Sequence, residues 1–371
     1  MSDHAQIGER VRAALGERSQ SWLASQVEMP RDSMSRSLNG LRGFSSVELA
    51  RIADVLGADV RELITGEPDP HRLVVAARHT WDPITRERAN AGREEDEATL
   101  QAISLAYRQA YPHGSPRAPD VPSTPGEVAD ALGDQFVRHF LDRLEERLGI
   151  DVIRLPSIST AYSVTTAGRG VVVLPSTGNW WKSNFDLAHE VAHLALGHLA
   201  TSSRDVDRDH ELAANAFASE LLMPEARIRQ IEWSTISRRD VAQFLWDAGV
   251  GTSALAHRLQ SLGVEVSADV ASMLVAPMPG AMRSVQGEMD LPRPSGSAQF
   301  VDAFDAFDAR MQDAARRRFP VTLVAIHRRR IEQDGISPGT LAWMLDTPVD
   351  DLVQGPASHD GGLDVEELFG A

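Results

Sequence analysis

Residues 185–199 read FDLAHEVAHLALGHL, and inside them stands His189-Glu190-x-x-His193. A helix turns about 100° per residue, so positions four apart sit one above the other on the same face. His189 and His193 therefore point the same way and are spaced to clamp one Zn²⁺, with Glu190 beside them as a general base toward water. The helix is sustained by Ala188, Val191, Ala192, Ala195 and Leu199 as an apolar stripe. Ser183 or Asn184 is expected as its N-cap, Asp186 falls in its first turn, and Gly197 is its breaking point. Two histidines on an exposed helix would satisfy the same pattern, so a third ligand has to be found elsewhere.

The next helical stretch, residues 210–224 (HELAANAFASELLMP), supplies what the first lacks. A catalytic metal needs a third protein ligand, and Glu211 is the candidate. Asn215, four residues on, shares its face and is placed to orient a ligating histidine. Ala214, Phe217, Ala218 and Leu221 form the apolar side. For an oxyanion donor, Tyr162, His198, His210 and His257 are open candidates. His198 reads better as a surface histidine at the helix end.

Together, FxxAHExxHLxLGH followed by ExxANxFAxxLLMP resembles the ImmA/IrrE metallopeptidases over roughly residues 126–265. The resemblance implies a small α+β, gluzincin-like domain that cuts or antagonises a DNA-bound repressor. The helix pair at 238–262, around Gly249-Val250-Gly251, matches the helical segment that follows this site in the family. A structural role for that pair is favoured over DNA reading.

The strands expected upstream are Val152–Leu155 and Gly170–Leu174, both apolar and β-branched. Residues 126–148 are expected as one helix. Residues 113–126 (HGSPRAPDVPSTPG) form the clearest linker, and residues 72–112 are expected to be mostly helical, with Glu94–Glu97 on a solvated face or loop.

Residues 7–66 read as five short helices, ended by Gly66 and closed off by Pro68 and Pro70. Residues 22–40 (WLASQVEMPRDSMSRSLNG) resemble the Xre/Cro-type helix-turn-helix. The resemblance implies that Met34 and Leu38 face the core while Arg31, Ser33 and Arg36 face a DNA groove. Glu28 stands where glycine is usual, at a cost on the order of 1 kcal/mol. Residues 1–66 carry eight Arg against nine Asp/Glu, while residues 30–42 carry three Arg against one Asp, so the groove face is mildly basic and dimerisation would strengthen a modest affinity. A helical bundle that binds protein instead is the alternative.

Towards the C-terminus, residues 276–299 read as a second loop. Residues 319–353 have a helix–turn–helix cadence that includes the β-branched run Val321–Ile326 and the basic cluster Arg328–Arg330, read as solvated helix surface. An acidic tail follows.

The chain has 371 residues, a formal net charge of −16 and no cysteine. The charge argues against coating nucleic acid along the whole length, and any metal must be held by His, Asp or Glu. The polar N-terminus shows no secretory signal and no stretch is long enough to span a bilayer, so a cytoplasmic protein without membrane contact is expected.

The expected fold is mainly α with a small α+β domain. The expected divisions are a five-helix helix-turn-helix bundle at 1–68, a helical connector and linker at 69–125, a gluzincin-like metallopeptidase domain at 126–275 and a mostly helical region at 276–371. The expected function is a DNA-binding regulator with a zinc-dependent, gluzincin-like endopeptidase, active or latent, that cleaves a transcriptional repressor or itself in a stress or phage response. Zinc is the expected cofactor, with other divalent ions open. The alternative is a transcriptional regulator or antitoxin-like repressor whose metal domain is a sensor or scaffold.

Overall fold

The computed structural model describes residues 3–67, 69, 74–77, 80–81, 88–89, 93–116, 120–198, 208–278 and 303–353. Pro68, Pro70, Leu199, part of each expected linker and the acidic tail lie outside the described residues.

The N-terminal unit has five helices: α1 (Asp3–Leu15), α2 (Gln20–Gln26), α3 (Arg31–Leu38), α4 (Ser46–Leu56) and α5 (Val60–Thr65). They enclose one core of Val11, Leu23, Ala24, Met34, Leu38, Leu49, Ile52 and Leu63. Local chemistry fixes the ends. Ser19 caps α2, Ser45 and Glu48 form a capping box on α4, and Gly57 and Gly66 close α4 and α5 in left-handed conformations. Glu28 sits at φ 55 in the turn between α2 and α3.

After this unit come three short strands, β1 (Val74–Ala77), β2 (Thr80–Trp81) and β3 (Arg88–Ala89), and then α6 (Arg93–Ala110). Among the described residues, the mostly helical reading of 72–112 therefore holds from residue 93, where α6 begins. β1 pairs antiparallel with β5 (Tyr162–Thr166), a strand not expected from the sequence. β4 (Asp151–Leu155) and β6 (Arg169–Pro175) complete a four-stranded sheet in the order β1-β5-β6-β4. β5 and β6 form a tight hairpin through Ala167 and Gly168, both at positive φ, and β4 lies parallel to β6.

Side chains alternate across the sheet. Val152, Val172 and Leu174 enter one core. Ile153, Leu155, Tyr162, Val164, Val171 and Val173 enter another.

The first face is covered by α9 (Trp180–Ala195) and α10 (Arg208–Leu222), with α7 (Pro125–Leu132), α12 (Arg238–Ala248), α13 (Thr252–Ser261) and α14 (Ala268–Val275) around them. Between α7 and β4 the single expected helix is broken. Gly133 at φ 79 stops α7, and the chain returns through a 3₁₀ turn at Phe136–His139, helix α8 at Phe140–Arg143 and a π turn at Leu144–Leu148. Arg143 caps α7 by donating to the Leu132 carbonyl at 2.6 Å. α11 (Glu225–Arg229) follows α10 after Pro224.

The second face is covered by α6 and two C-terminal helices, α16 (Val321–Asp334) and α17 (Gly339–Leu345). Val321–Ile326 is thus helical, started by Pro320. Ahead of it runs α15 (Ala303–Ala315), and α18 (Val349–Val353) ends the described chain. Arg318 forms a bridge with Arg154 on the free side of β4 and donates to Glu145, which closes that edge of the sheet.

Two buried tyrosine–aspartate bonds fasten α6 to the sheet. Tyr107 donates to Asp151 and Tyr162 donates to Asp96, each at 2.7 Å. Asp96 is therefore a buried anchor and not part of a solvated acidic face. No helix among the described residues is long and apolar enough to cross a membrane.

Candidate metal centre

α9 begins earlier than expected. Asn179 is its N-cap and accepts from the Lys182 amide at 3.1 Å, so Ser183 and Asn184 lie inside the helix. The extra turn brings Trp180 and Trp181 into the core and leaves His189, Glu190 and His193 all buried. α10 packs against α9, which places Glu211, near its own N-terminus, opposite the two histidines.

His189 Nε2 and His193 Nε2 are 3.1 Å apart. Glu211 sets Oε2 3.5 Å from His189 Nε2 and Oε1 3.4 Å from His193 Nε2. Donors bound tetrahedrally at about 2.05 Å from one ion would stand about 3.3 Å from each other. The three side chains thus already have the spacing of one coordination shell, and the two-imidazole, one-carboxylate set suits Zn²⁺. Burial pushes the Glu211 carboxyl up, but the facing His189 and His193 outweigh it and hold Glu211 well below the usual carboxylate range. It is therefore an anion at neutral pH, as a ligand must be.

The far side of each imidazole is also engaged. His189 Nδ1 lies 3.1 Å from Asn215 Oδ1. With Nε2 given to a metal, Nδ1 carries the proton and donates to that amide oxygen. His193 Nδ1 lies 3.2 Å from His198 Nδ1, and the His198 ring stacks on His210 at 3.9 Å and 10°. His198 is thus packed behind a ligand and is not a surface histidine at a frayed end. The signal for this was present in the sequence: Gly197, one residue past the helix, turns the following residue back onto it.

Of the other oxyanion candidates, Tyr162 is ruled out, because it lies in the core on the opposite face of the sheet, bonded to Asp96. His257 is exposed on α13. In the N-terminal unit, Arg31 and Arg36 are exposed on α3 and Ser33 is half-buried, while Met34 and Leu38 are in the core.

A buried His-His-Glu cluster drawn from two packed helices, with a glutamate next to the first histidine, is the arrangement of a metallopeptidase-type domain. Residues 145–260 match the peptidase family model described as the IrrE N-terminal-like domain. That span runs from the turn before β4 to the end of α13 and contains every residue of the centre. No curated protein and no solved structure matches the chain.

Proposed function

We propose that this chain is a regulatory zinc peptidase that reads DNA through its N-terminal helices and cleaves a transcriptional regulator, either a separate repressor or itself. The observation that carries the reading is the spacing of His189, His193 and Glu211, which is that of a single coordination shell and falls inside the matched domain.

When bound there, a divalent metal polarises a scissile carbonyl and lowers the pKa of a water. The chain's own residues do the rest. His189, His193 and Glu211 hold the ion, and Asn215 fixes the tautomer of His189. Glu190 takes a proton at its carboxylate and returns it to the leaving amine. Burial of His189, Glu190, His193 and Glu211 limits bulk water and strengthens these interactions.

The five-helix unit supports restriction to few substrates, since a general degradative peptidase has no use for a DNA-reading module. The exposed Arg31 and Arg36, with Ser33 between them, are the residues assigned to DNA, and a homodimer would raise a modest affinity. The fused helix-turn-helix-like unit also motivates a second reading, in which the chain is a DNA-binding regulator and the metal domain is a sensor or scaffold.

Incubating the purified chain and its Glu190→Gln variant with candidate regulators, and with itself, separates the two. Cleavage that needs metal and is absent in Glu190→Gln supports the peptidase. Regulation that survives Glu190→Gln but is lost with Arg36→Ala supports the sensor or scaffold.

A further inference from the structure

The end of α9 is built in an unusual way for its position. Leu196 is the C-cap and Gly197 follows at φ 67. The Gly197 amide donates to the Leu194 carbonyl at 3.3 Å, and the His198 amide donates to the His193 carbonyl at 2.9 Å. This pair of reversed bonds is a Schellman cap, which folds the second residue past the helix back over the third residue from its end. That contact is commonly apolar. Here the returning residue is His198, and the residue it covers is the metal ligand His193.

We infer that His198 is a positioning residue for the metal centre, holding His193 from behind by a ring-to-ring hydrogen bond. The inference rests on the reading of His189, His193 and Glu211 as ligands. The chemistry follows from which nitrogen is used. Nε2 of His193 faces His189 and Glu211, so a metal takes that nitrogen and the proton sits on Nδ1. The Nδ1–H then donates to Nδ1 of His198 at 3.2 Å, which leaves the His198 proton on Nε2. His210 lies flat against the His198 ring and is the residue directly before Glu211.

Both ligating histidines are thus braced from α10. His189 is held directly by Asn215, and His193 is held through His198 resting on His210. The same helix supplies the third ligand, so a shift of α10 relative to α9 displaces Glu211 and both braces at once.

The test uses the full chain and reads metal binding, not cleavage. Zn²⁺ affinity is measured by chelator competition, and Co²⁺ is substituted to record its visible ligand-field spectrum. His198→Ala removes the acceptor, whereas His198→Asn places Oδ1 close to where Nδ1 stood, as Asn215 does for His189. The expected result is a loss of Zn²⁺ affinity of about 10–100-fold and an altered Co²⁺ spectrum in His198→Ala, with both largely restored in His198→Asn. The thermal midpoint of each metal-free variant reports whether it still folds, and a metal-free His198→Ala that melts like the parent assigns the loss to coordination. Parental affinity and spectrum in His198→Ala would overturn the inference. So would an Asn variant as impaired as the Ala variant while both melt like the parent, since the ring would then act only by packing. A parent chain that binds no Zn²⁺ would remove the centre itself. A chain that binds Zn²⁺ in this way and yet cleaves nothing would leave the positioning role standing and count only against the peptidase reading.

Discussion

Tyr107 and Asp151 stand 44 positions apart in the chain, and the tyrosine hydroxyl donates to the buried carboxylate at 2.7 Å. Arg169 grips the same carboxylate with both donors, Nε to Oδ2 at 2.9 Å and Nη2 to Oδ1 at 2.6 Å. One aspartate at the start of β4 therefore ties α6, β4 and β6 together. Tyr107→Phe should cost about 1.5–3 kcal/mol, as expected for a bond to a charged acceptor. Asp151→Ala should cost about 3–5 kcal/mol, because it strands the Arg169 guanidinium and the Tyr107 hydroxyl. Denaturant unfolding of both variants checks the order, and equal losses would show that Arg169 does not depend on this partner.

A second prediction concerns acid. His327 on α16 is buried and bonded through Nε2 to the Ala106 carbonyl of α6 at 2.8 Å. Burial pulls its pKa below the ordinary imidazole value; the Ala106 bond opposes this and nearby Arg330 adds to it. The folded chain then binds fewer protons than the unfolded chain between the lowered pKa and about 6.5. This contribution is complete above that range and is lost as the pH falls through the folded value. The urea midpoint should drop on acidification more steeply in the parent than in His327→Gln. Parallel pH profiles would refute it.

Two glycines separate backbone strain from crowding. Gly249, between α12 and α13, has φ 62, and a β-carbon there would meet Val137 Cγ1 at 2.3 Å and Asn184 Nδ2 at 2.6 Å. Gly263 has φ 64 and open space around it. Gly263→Ala should cost about 1–2 kcal/mol from the left-handed backbone alone. Gly249→Ala should lose about 1–3 kcal/mol more through overpacking against Val137 and Asn184. Thermal melts of the two variants decide it, and equal shifts would mean that the helix pair yields freely.

On DNA, Arg31 and Arg36 can each read a guanine edge or hold a phosphate, and a phosphate role carries a salt signature. Arg31→Ala and Arg36→Ala should each weaken binding. Each phosphate that is no longer neutralised should flatten the plot of log affinity against log salt by about 1. Fluorescence anisotropy on duplex DNA measures this. Unchanged binding in the double variant would transfer the role elsewhere or abolish it.

The two helices of the centre were legible because their information is local. Four-residue spacing on one helix fixes which side chains share a face, and His189, His193, Glu211 and Asn215 all come from such pairs. The broken stretch at 126–148 was not legible as a break. Its apolar positions suit a helix, but Gly133 and the left-handed Gln135 turn the chain back on itself. The β5–β6 hairpin was hidden because Ala167 occupies a turn position where Asn or Gly is the usual signal. Asp96 looked solvated because its neighbours Glu95 and Glu97 are exposed, and only the long-range bonds from Ser159 and Tyr162 reveal it as buried. Val321–Ile326 is β-branched yet helical, since tertiary burial of Leu323 and His327 against α6 overrides propensity.

In the proposed centre His189, His193 and Glu211 form one metal site, and Glu190 acts beside it without holding the ion. Metal content, measured on the purified parent, Glu190→Gln and Glu211→Ala after equilibration with Zn²⁺ and desalting, tests this most directly. About one zinc per chain is expected in the parent and in Glu190→Gln, and a stoichiometry near zero in Glu211→Ala. A parent without zinc, or a Glu211→Ala variant that keeps its full complement, would contradict it.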